Sequence, residues 1–153
     1  MIRKLYPHEP LPMELLLLAD PSENQIHSYS RSGHCYVLEI EGQCIGVYIL
    51  QQQSPQGIEL MNVAVAEHWQ GKGLGKQLIL HAIETARVLE YASIHVATGN
   101  SSIGQLALYQ RCGFRLVGIV PDYFTLHYPE PIFENGIQCR DQVRLALELK
   151  GTE

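Results

Sequence analysis

The stretch Gln70-Gly71-Lys72-Gly73-Leu74-Gly75-Lys76 holds the chain's clearest anion-binding chemistry. An apolar run before it, Ile58 to Val65, reads as a strand, and an amphipathic segment after it, Leu74 to about Tyr91, reads as a helix. A glycine-rich turn in that place presents unpaired backbone N–H groups at the positive end of a helix dipole, where phosphate is the commonest guest. Gly73 and Gly75 lack a Cβ and permit close approach. Lys72 and Lys76 add charge at the rim, and the Gln70 amide can close the ring. Spacing excludes two familiar phosphate loops. A Walker loop needs Ser or Thr after Gly75-Lys76, where Gln77 stands, and a glycine where Gln70 stands. A dinucleotide fingerprint needs a residue without a bulky side chain where Lys76 stands. The pattern that fits is Q/R-x-x-G-x-G/A, with Gln70, Gly73 and Gly75 in register. The plain alternative is a connecting turn without a ligand.

Other chemistry-bearing residue types are dispersed. Cys35, Cys44, Cys112 and Cys139 form no C-x-x-C pair, so neither a zinc site nor a disulfide framework is expected. The seven histidines show no metal-binding spacing, and no metal is expected. A length of 153 residues suits one domain over 1–153, and 46% apolar with 18% charged residues fits a globular protein. A net charge of −5 disfavours a nucleic-acid or anionic-membrane partner and favours a cationic one. Leu15 to Leu18 is too short to span a bilayer and lacks a signal-peptide pattern. The expected location is cytoplasmic.

Around the loop, the sequence predicts an ordered set of elements. Glu9 to Ala19 reads as a helix with Pro10 or Pro12 near its start. Asp20-Pro21-Ser22-Glu23 reads as the start of a second helix capped by Asp20, running to about Arg31. Cys35 to Ile40 and Cys44 to Gln51 read as a hairpin turning at Glu41-Gly42. Leu74, Leu78, Ala82 and Ala86 recur at helical spacing. Ser93 to Thr98 reads as a strand. Ser102-Ile103-Gly104-Gln105 reads as a capping box for a helix to about Cys112. Phe114 to Val120 and Gln142 to Leu149 read as strands, joined by a loop of about twenty residues. The strand-helix-strand passage over 58–98 requires one parallel pair among antiparallel ones. The expected class is α/β (α+β in stricter schemes), with a mixed, mostly antiparallel sheet of about six or seven strands flanked by helices.

The loop pattern and this order of elements resemble the GNAT family of N-acetyltransferases. The segment Leu106-Ala107-Leu108-Tyr109-Gln110-Arg111-Cys112-Gly113-Phe114 is similar to that family's A-x-x-L-Y-x-x-x-G-F segment. The resemblance implies that Gln70, Gly71, Lys72, Gly73, Leu74, Gly75 and Lys76 hold the pyrophosphate of acetyl-coenzyme A. It implies that the backbone near Val63, Ala64 and Val65 pairs with the pantetheine arm, and that Tyr109 protonates the departing thiolate. The family's asparagine falls on Ser102 in this register, while Asn100 lies two residues earlier. Either is a candidate for a pantetheine contact. Glu59 lies eleven residues before Gln70, the offset of the general base in the histone-acetyltransferase branch. Alternation predicts that Glu59 shares a face with Met61, Val63 and Val65.

The chemistry demands such a base. An alkyl amine is neutral only to about one part in 2,500 at pH 7, and a carboxylate can take its proton directly or through water. The resemblance therefore implies transfer of acetyl to a primary amine by direct attack in a ternary complex, without a metal. A covalent route through Cys112 has no histidine partner visible in the sequence. The alternative from another class is a non-catalytic coenzyme-A-binding sensor or interaction module. The acceptor, a small-molecule or peptide amine, is expected at the loop between 120 and 142, with Tyr123, His127 and Tyr128 as contacts by cation–π chemistry. By analogy Tyr29 and Tyr36 line the opposite wall. The oligomeric state is not readable from the sequence, which is compatible with a homodimer.

Overall fold

The computed structural model describes residues 1–149, so residues 150–153 of the expected domain lie outside the described residues. The chain opens with strand β1 (Ile2–Lys4) and helices α1 (Met13–Ala19) and α2 (Glu23–Arg31). The hairpin β2 (His34–Ile40) and β3 (Gln43–Gln52) precedes β4 (Gly57–Val65), a short 3-10 turn and helix α3 (Leu74–Val88). Then come β5 (Ser93–Gly99), α4 (Ile103–Arg111), β6 (Arg115–Val120), α5 (Tyr123–His127), β7 (Ile132–Glu134), β8 (Ile137–Cys139) and β9 (Gln142–Glu148). Seven strands form one sheet in the order β1-β2-β3-β4-β5-β9-β6, and β7 with β8 forms a separate hairpin. Among the described residues only β4 and β5 run parallel. This is the mixed, mostly antiparallel sheet that the order of elements predicts.

The centre of the sheet is buried on both faces, while β6 at its edge is exposed. Tyr48 and Leu50 of β3 pack with Leu78, Ile79, Ala82 and Ile83 of α3. The alternate residues Val47 and Ile49 pack with Leu16 of α1 and Ile26 and Tyr29 of α2. Period-two alternation thus gives β3 two apolar faces and lets one strand serve two cores. The β2–β3 turn closes with Glu41 at φ 54° and Gly42 at φ 78°, the left-handed pair that tight hairpins require.

Several boundaries differ from expectation, each for a local reason. Helix α1 starts at Met13 rather than Glu9, behind Pro12, because Glu9 is occupied by Arg3 and by the Tyr6 N–H. Strand β1 was not foreseen. It is three residues long and borrows its pattern from β2. The cap of α2 is Ser22, whose Oγ accepts from Gln25 N–H; Asp20 instead accepts from Ser22 N–H in a local turn. The Ser102 capping box does not form. The Ser102 hydroxyl donates to Glu134, and no side-chain cap closes on α4. The long loop after Val120 is built of α5 and the β7–β8 hairpin.

The most consequential difference lies in β4. Ile49 pairs with Asn62 but Leu50 pairs with Leu60, so Met61 is an extra residue, a β-bulge. The bulge shifts the alternation. Ile58, Leu60, Val63 and Val65 now face α3, whereas Ala64 packs with α1 and α2. The expected face shared by Glu59, Met61, Val63 and Val65 therefore does not exist, and Glu59 points away from α3.

Candidate active site

Strands β4 and β5 pair from Gly57↔Ser93 to Leu60↔Val96 and then part. The bulge at Met61 sits at the point of parting and bends β4 away. Beyond it opens a cleft of about 600 Å³, lined by residues 60–65 of β4, by Ala97 and Thr98 of β5, by the glycine loop and by α4. The cleft collects Val63, Ala64, Val65, Gln70, Gly71, Gly73, Leu74, Gly75, Lys76, Ser102 and Tyr109 from the residues singled out in the sequence. Lys72, Asn100, Glu59, Tyr123, His127 and Tyr128 do not line it.

The loop has the backbone of an anion site. Gly71 and Gly73 have φ 79° and 82°, values that favour glycine. Gly73 caps α3, and the first backbone bond of the helix runs from Gln77 N–H to Gly73 O. The N–H groups of Leu74, Gly75 and Lys76 consequently have no partner within the helix and stand at its positive end. A Cβ placed on Gly71, Gly73 or Gly75 would meet nothing within 4 Å, so the space above each glycine is open. Gln70 departs from its expected role. Its Nε2 donates to Val65 O at 2.9 Å and pins the loop to the end of β4 rather than closing a ring over the anion.

Tyr109 lies across the cleft from this loop on α4. Its side chain is buried, stacked edge-on against Phe114, with the phenol oxygen 3.2 Å from Gln105 Nε2. Burial pushes the phenol above its ordinary value, and the Gln105 hydrogen bond offsets part of that rise. The group is therefore held protonated. Cys112, the sequence's candidate covalent nucleophile, has its thiol pushed up by burial, which disfavours a thiolate. Asn100 is fully engaged elsewhere. Its Nδ2 donates to Gln138 O, and its Oδ1 accepts from the N–H groups of Arg140 and Asp141. Between the two candidates for the pantetheine contact, only Ser102 borders the cleft. It is joined there by Glu134 from the tip of the β7–β8 hairpin, whose Oε1 accepts from the hydroxyls of Ser101 (2.9 Å) and Ser102 (2.7 Å). Asn135 donates to Ser101 O and fastens the same tip.

The face of the sheet away from α3 carries the polar groups of the other side. Glu59 is buried, and its Oε1 accepts from Arg144 Nη2 at 2.8 Å. Arg144 Nη1 donates to Gln142 Oε1. Tyr29 and Tyr128 both donate to Asp20, at 3.0 and 2.8 Å, which ties α2 and the segment after α5 to one carboxylate. Tyr123 stacks on His127 with centroids 4.2 Å apart and has its phenol raised, by burial first and then by Asp20 and Glu59. Tyr36 is not part of this wall. It stacks on Tyr48, whose hydroxyl meets His81 of α3 on the opposite face.

The sequence reading missed Asn62, Gln105, Asp20 and Arg144 as site residues. Asn62 had a signal, being a polar residue in an apolar strand. Its Nδ2 donates to Leu16 O and Tyr29 OH, while its buried Oδ1 has no partner among the described residues. Arg144 had none, because its partner Glu59 is distant in sequence. Among the described residues no group of three His, Cys, Asp or Glu is arranged to hold a metal ion, and no helix is long and apolar enough to cross a membrane.

Comparison with known proteins agrees with the geometry. Residues 2–114 match the acetyltransferase (GNAT) family. The uncharacterized N-acetyltransferase YvbK of Bacillus subtilis is 54% identical over 136 residues, covering 89% of this chain and 88% of that protein. A GNAT family acetyltransferase from Elizabethkingia anophelis, solved with acetyl-CoA bound, is 43% identical with a TM-score of 0.96, covering 97% of each chain. A Bacillus subtilis acetyltransferase solved in complex with CoA is 50% identical with a TM-score of 0.93, covering 97% of this chain and 98% of that one. With its parted β4 and β5, its glycine loop at the start of α3 and this whole-chain similarity, the protein belongs to the GNAT family of acetyltransferases.

Proposed function

We propose that the protein transfers an acetyl group from acetyl-CoA to a primary amine by direct attack in a ternary complex. The observation that carries this reading is the cleft itself, which connects the unpartnered N–H groups of the α3 start to the Tyr109 phenol. In this reading the pyrophosphate sits on residues 70–76, and the pantetheine arm adds to the free edge of β4 at Val63, Ala64 and Val65 as an extra strand would. Ser102 contacts the arm. Lys72 and Lys76 supply long-range charge. The bound acetyl-CoA and CoA in similar structures support the donor assignment.

The proton path follows from the two walls. The acceptor approaches from the face away from α3, where Tyr123, His127 and Tyr128 stand. Glu59 takes the ammonium proton through a water, since it does not border the cleft directly. The amine nitrogen attacks the thioester carbonyl, the C–S bond breaks, the thiolate receives the Tyr109 proton, and the proton shed by the new amide nitrogen restores the phenol through water. A phenol raised by burial stays protonated in the resting site, and the same rise weakens it as an acid, so its position beside the departing sulfur has to offset that cost. All these residues come from one chain. The four cysteines are free, in keeping with a reducing, cytoplasmic setting.

Thiol release from acetyl-CoA, measured against a panel of primary amines, tests the reading. Amine-dependent release with an N-acetylated product is the expected result. Tight coenzyme binding with no release in the presence of any amine points instead to a coenzyme-A-binding sensor.

A further inference from the structure

We propose that the acceptor carries a carboxylate beside its amine, and that Arg144 holds that carboxylate. The inference rests on the acetyl-transfer reading above and names the substrate class of the same site. Arg144 lies on β9 directly opposite Ala97 of β5, and Ala97 lines the cleft. Its neighbours Val143 and Leu145 pack toward α3, so the Arg144 side chain rises on the other face, where the acceptor enters. From there it crosses β5 to reach Glu59 on β4, one residue before the strands part.

The guanidinium has capacity left. A guanidinium carries five N–H donors. The contacts in hand are Nη2 to Glu59 Oε1 at 2.8 Å and Nη1 to Gln142 Oε1 at 3.0 Å, and Nε has no protein acceptor among the described residues. The Arg144 side chain is 33% exposed against 10% for Glu59. One end of the pair is thus anchored and the other faces the solvent side. A largely buried ion pair is a poor stabilising device, because desolvation offsets its attraction. Beside a binding cleft it serves as a receptor whose two halves satisfy each other until a ligand arrives. A carboxylate matches the planar fork of Arg144, and an ammonium matches Glu59. An arriving carboxylate competes with Glu59 Oε1 for the same N–H, which leaves that oxygen to the water that joins it to the amine. Tyr123, within electrostatic reach of Glu59, Arg144 and Asp20, walls the space. The chain's net charge of −5 gives anions no general attraction, so recognition of a carboxylate has to be local. Amino acids and short amino carboxylates fit this site; polyamines do not.

The experiment compares amino acids with their own carboxamides as acceptors, using the full chain and acetyl-CoA. The readout is the ratio of kcat/KM for the acid to kcat/KM for the amide. The ratio is expected to exceed one for the wild type and to fall about 10- to 100-fold in Arg144→Gln, the loss of a charge-assisted hydrogen-bond pair. Arg144→Lys keeps a cation beside Glu59 where Arg144→Gln fails to fold, and its ratio should fall between the two. A wild-type preference for the amides, or a ratio unchanged in the variants, overturns the inference and leaves acetyl transfer standing. Coenzyme binding without transfer to either acceptor set overturns the transfer reading, and this inference with it.

Discussion

Replacing Gly75 with alanine should make the protein more stable and worse at binding its donor. Gly75 is the second residue of α3, and a Cβ there meets nothing within 4 Å. Its φ is not in the left-handed region, so alanine fits the backbone without strain. Alanine in place of helical glycine stabilises by about 0.5 kcal/mol at such a position, or about 1–2 °C in thermal midpoint for a domain of this size. The open space over Gly75 belongs to the cleft, however, and the added methyl stands where the phosphate must approach the backbone. Losing one charge-assisted N–H bond weakens binding by about 10- to 100-fold. Gly104 is the matched control. It is the second residue of α4, a Cβ there also meets open space, and it does not line the cleft. Thermal unfolding and calorimetric titration with acetyl-CoA should show both alanine variants stabilised and only Gly75→Ala weakened. Wild-type affinity in Gly75→Ala, or equal weakening in Gly104→Ala, refutes the assignment of the loop.

Tyr109→Phe should lower turnover about 10- to 10⁴-fold with little change in acetyl-CoA affinity, and unchanged thiol release removes Tyr109 as the acid. Glu59→Gln keeps an acceptor for Arg144 but cannot take a proton, so the acidic limb of the pH–rate profile should change; an identical profile points to another base. Gly99→Ala drives its Cβ into the buried Cys139 sulfur. Urea unfolding should show a loss of about 1–3 kcal/mol, most of it recovered in the double variant with Cys139→Ala. The Arg3 guanidinium holds the Glu9 carboxyl at about 2, below its ordinary 4.5. A depressed folded-state value adds stability above about pH 4.5 and loses it as the pH falls toward 2. Melting curves of Glu9→Gln should therefore depend less on pH across that window, and parallel curves contradict the pairing.

The glycine loop and the elements around it were legible because their signals are local. A glycine turn between a strand and a helix, and Tyr109 at helical spacing in a short motif, need no knowledge of distant residues. The β2–β3 hairpin and the parallel pair of β4 and β5 followed from hairpin and crossover rules, whereas the place of β9 between β5 and β6 did not. The face of β4 away from α3 was obscured by a single extra residue. Met61 in β4 leaves no mark on the hydrophobic pattern, yet it reverses which residues share a face with Glu59. Polar side chains that find remote partners were equally hidden. Arg144 meets Glu59 across 85 positions, and Tyr128 meets Asp20 across 108. Asn100 stood in for a family asparagine near its register, but its Oδ1 is held by the turn that precedes β9 and its Nδ2 donates to Gln138 O of β8.

Initial rates of coenzyme A release, with acetyl-CoA and an amino-acid acceptor varied together, test the central claim most directly. Direct transfer in a ternary complex predicts intersecting double-reciprocal lines and one N-acetylated amine for each thiol released. Parallel lines, the mark of a covalent acetyl-enzyme, or thiol release that does not depend on the amine, would contradict it.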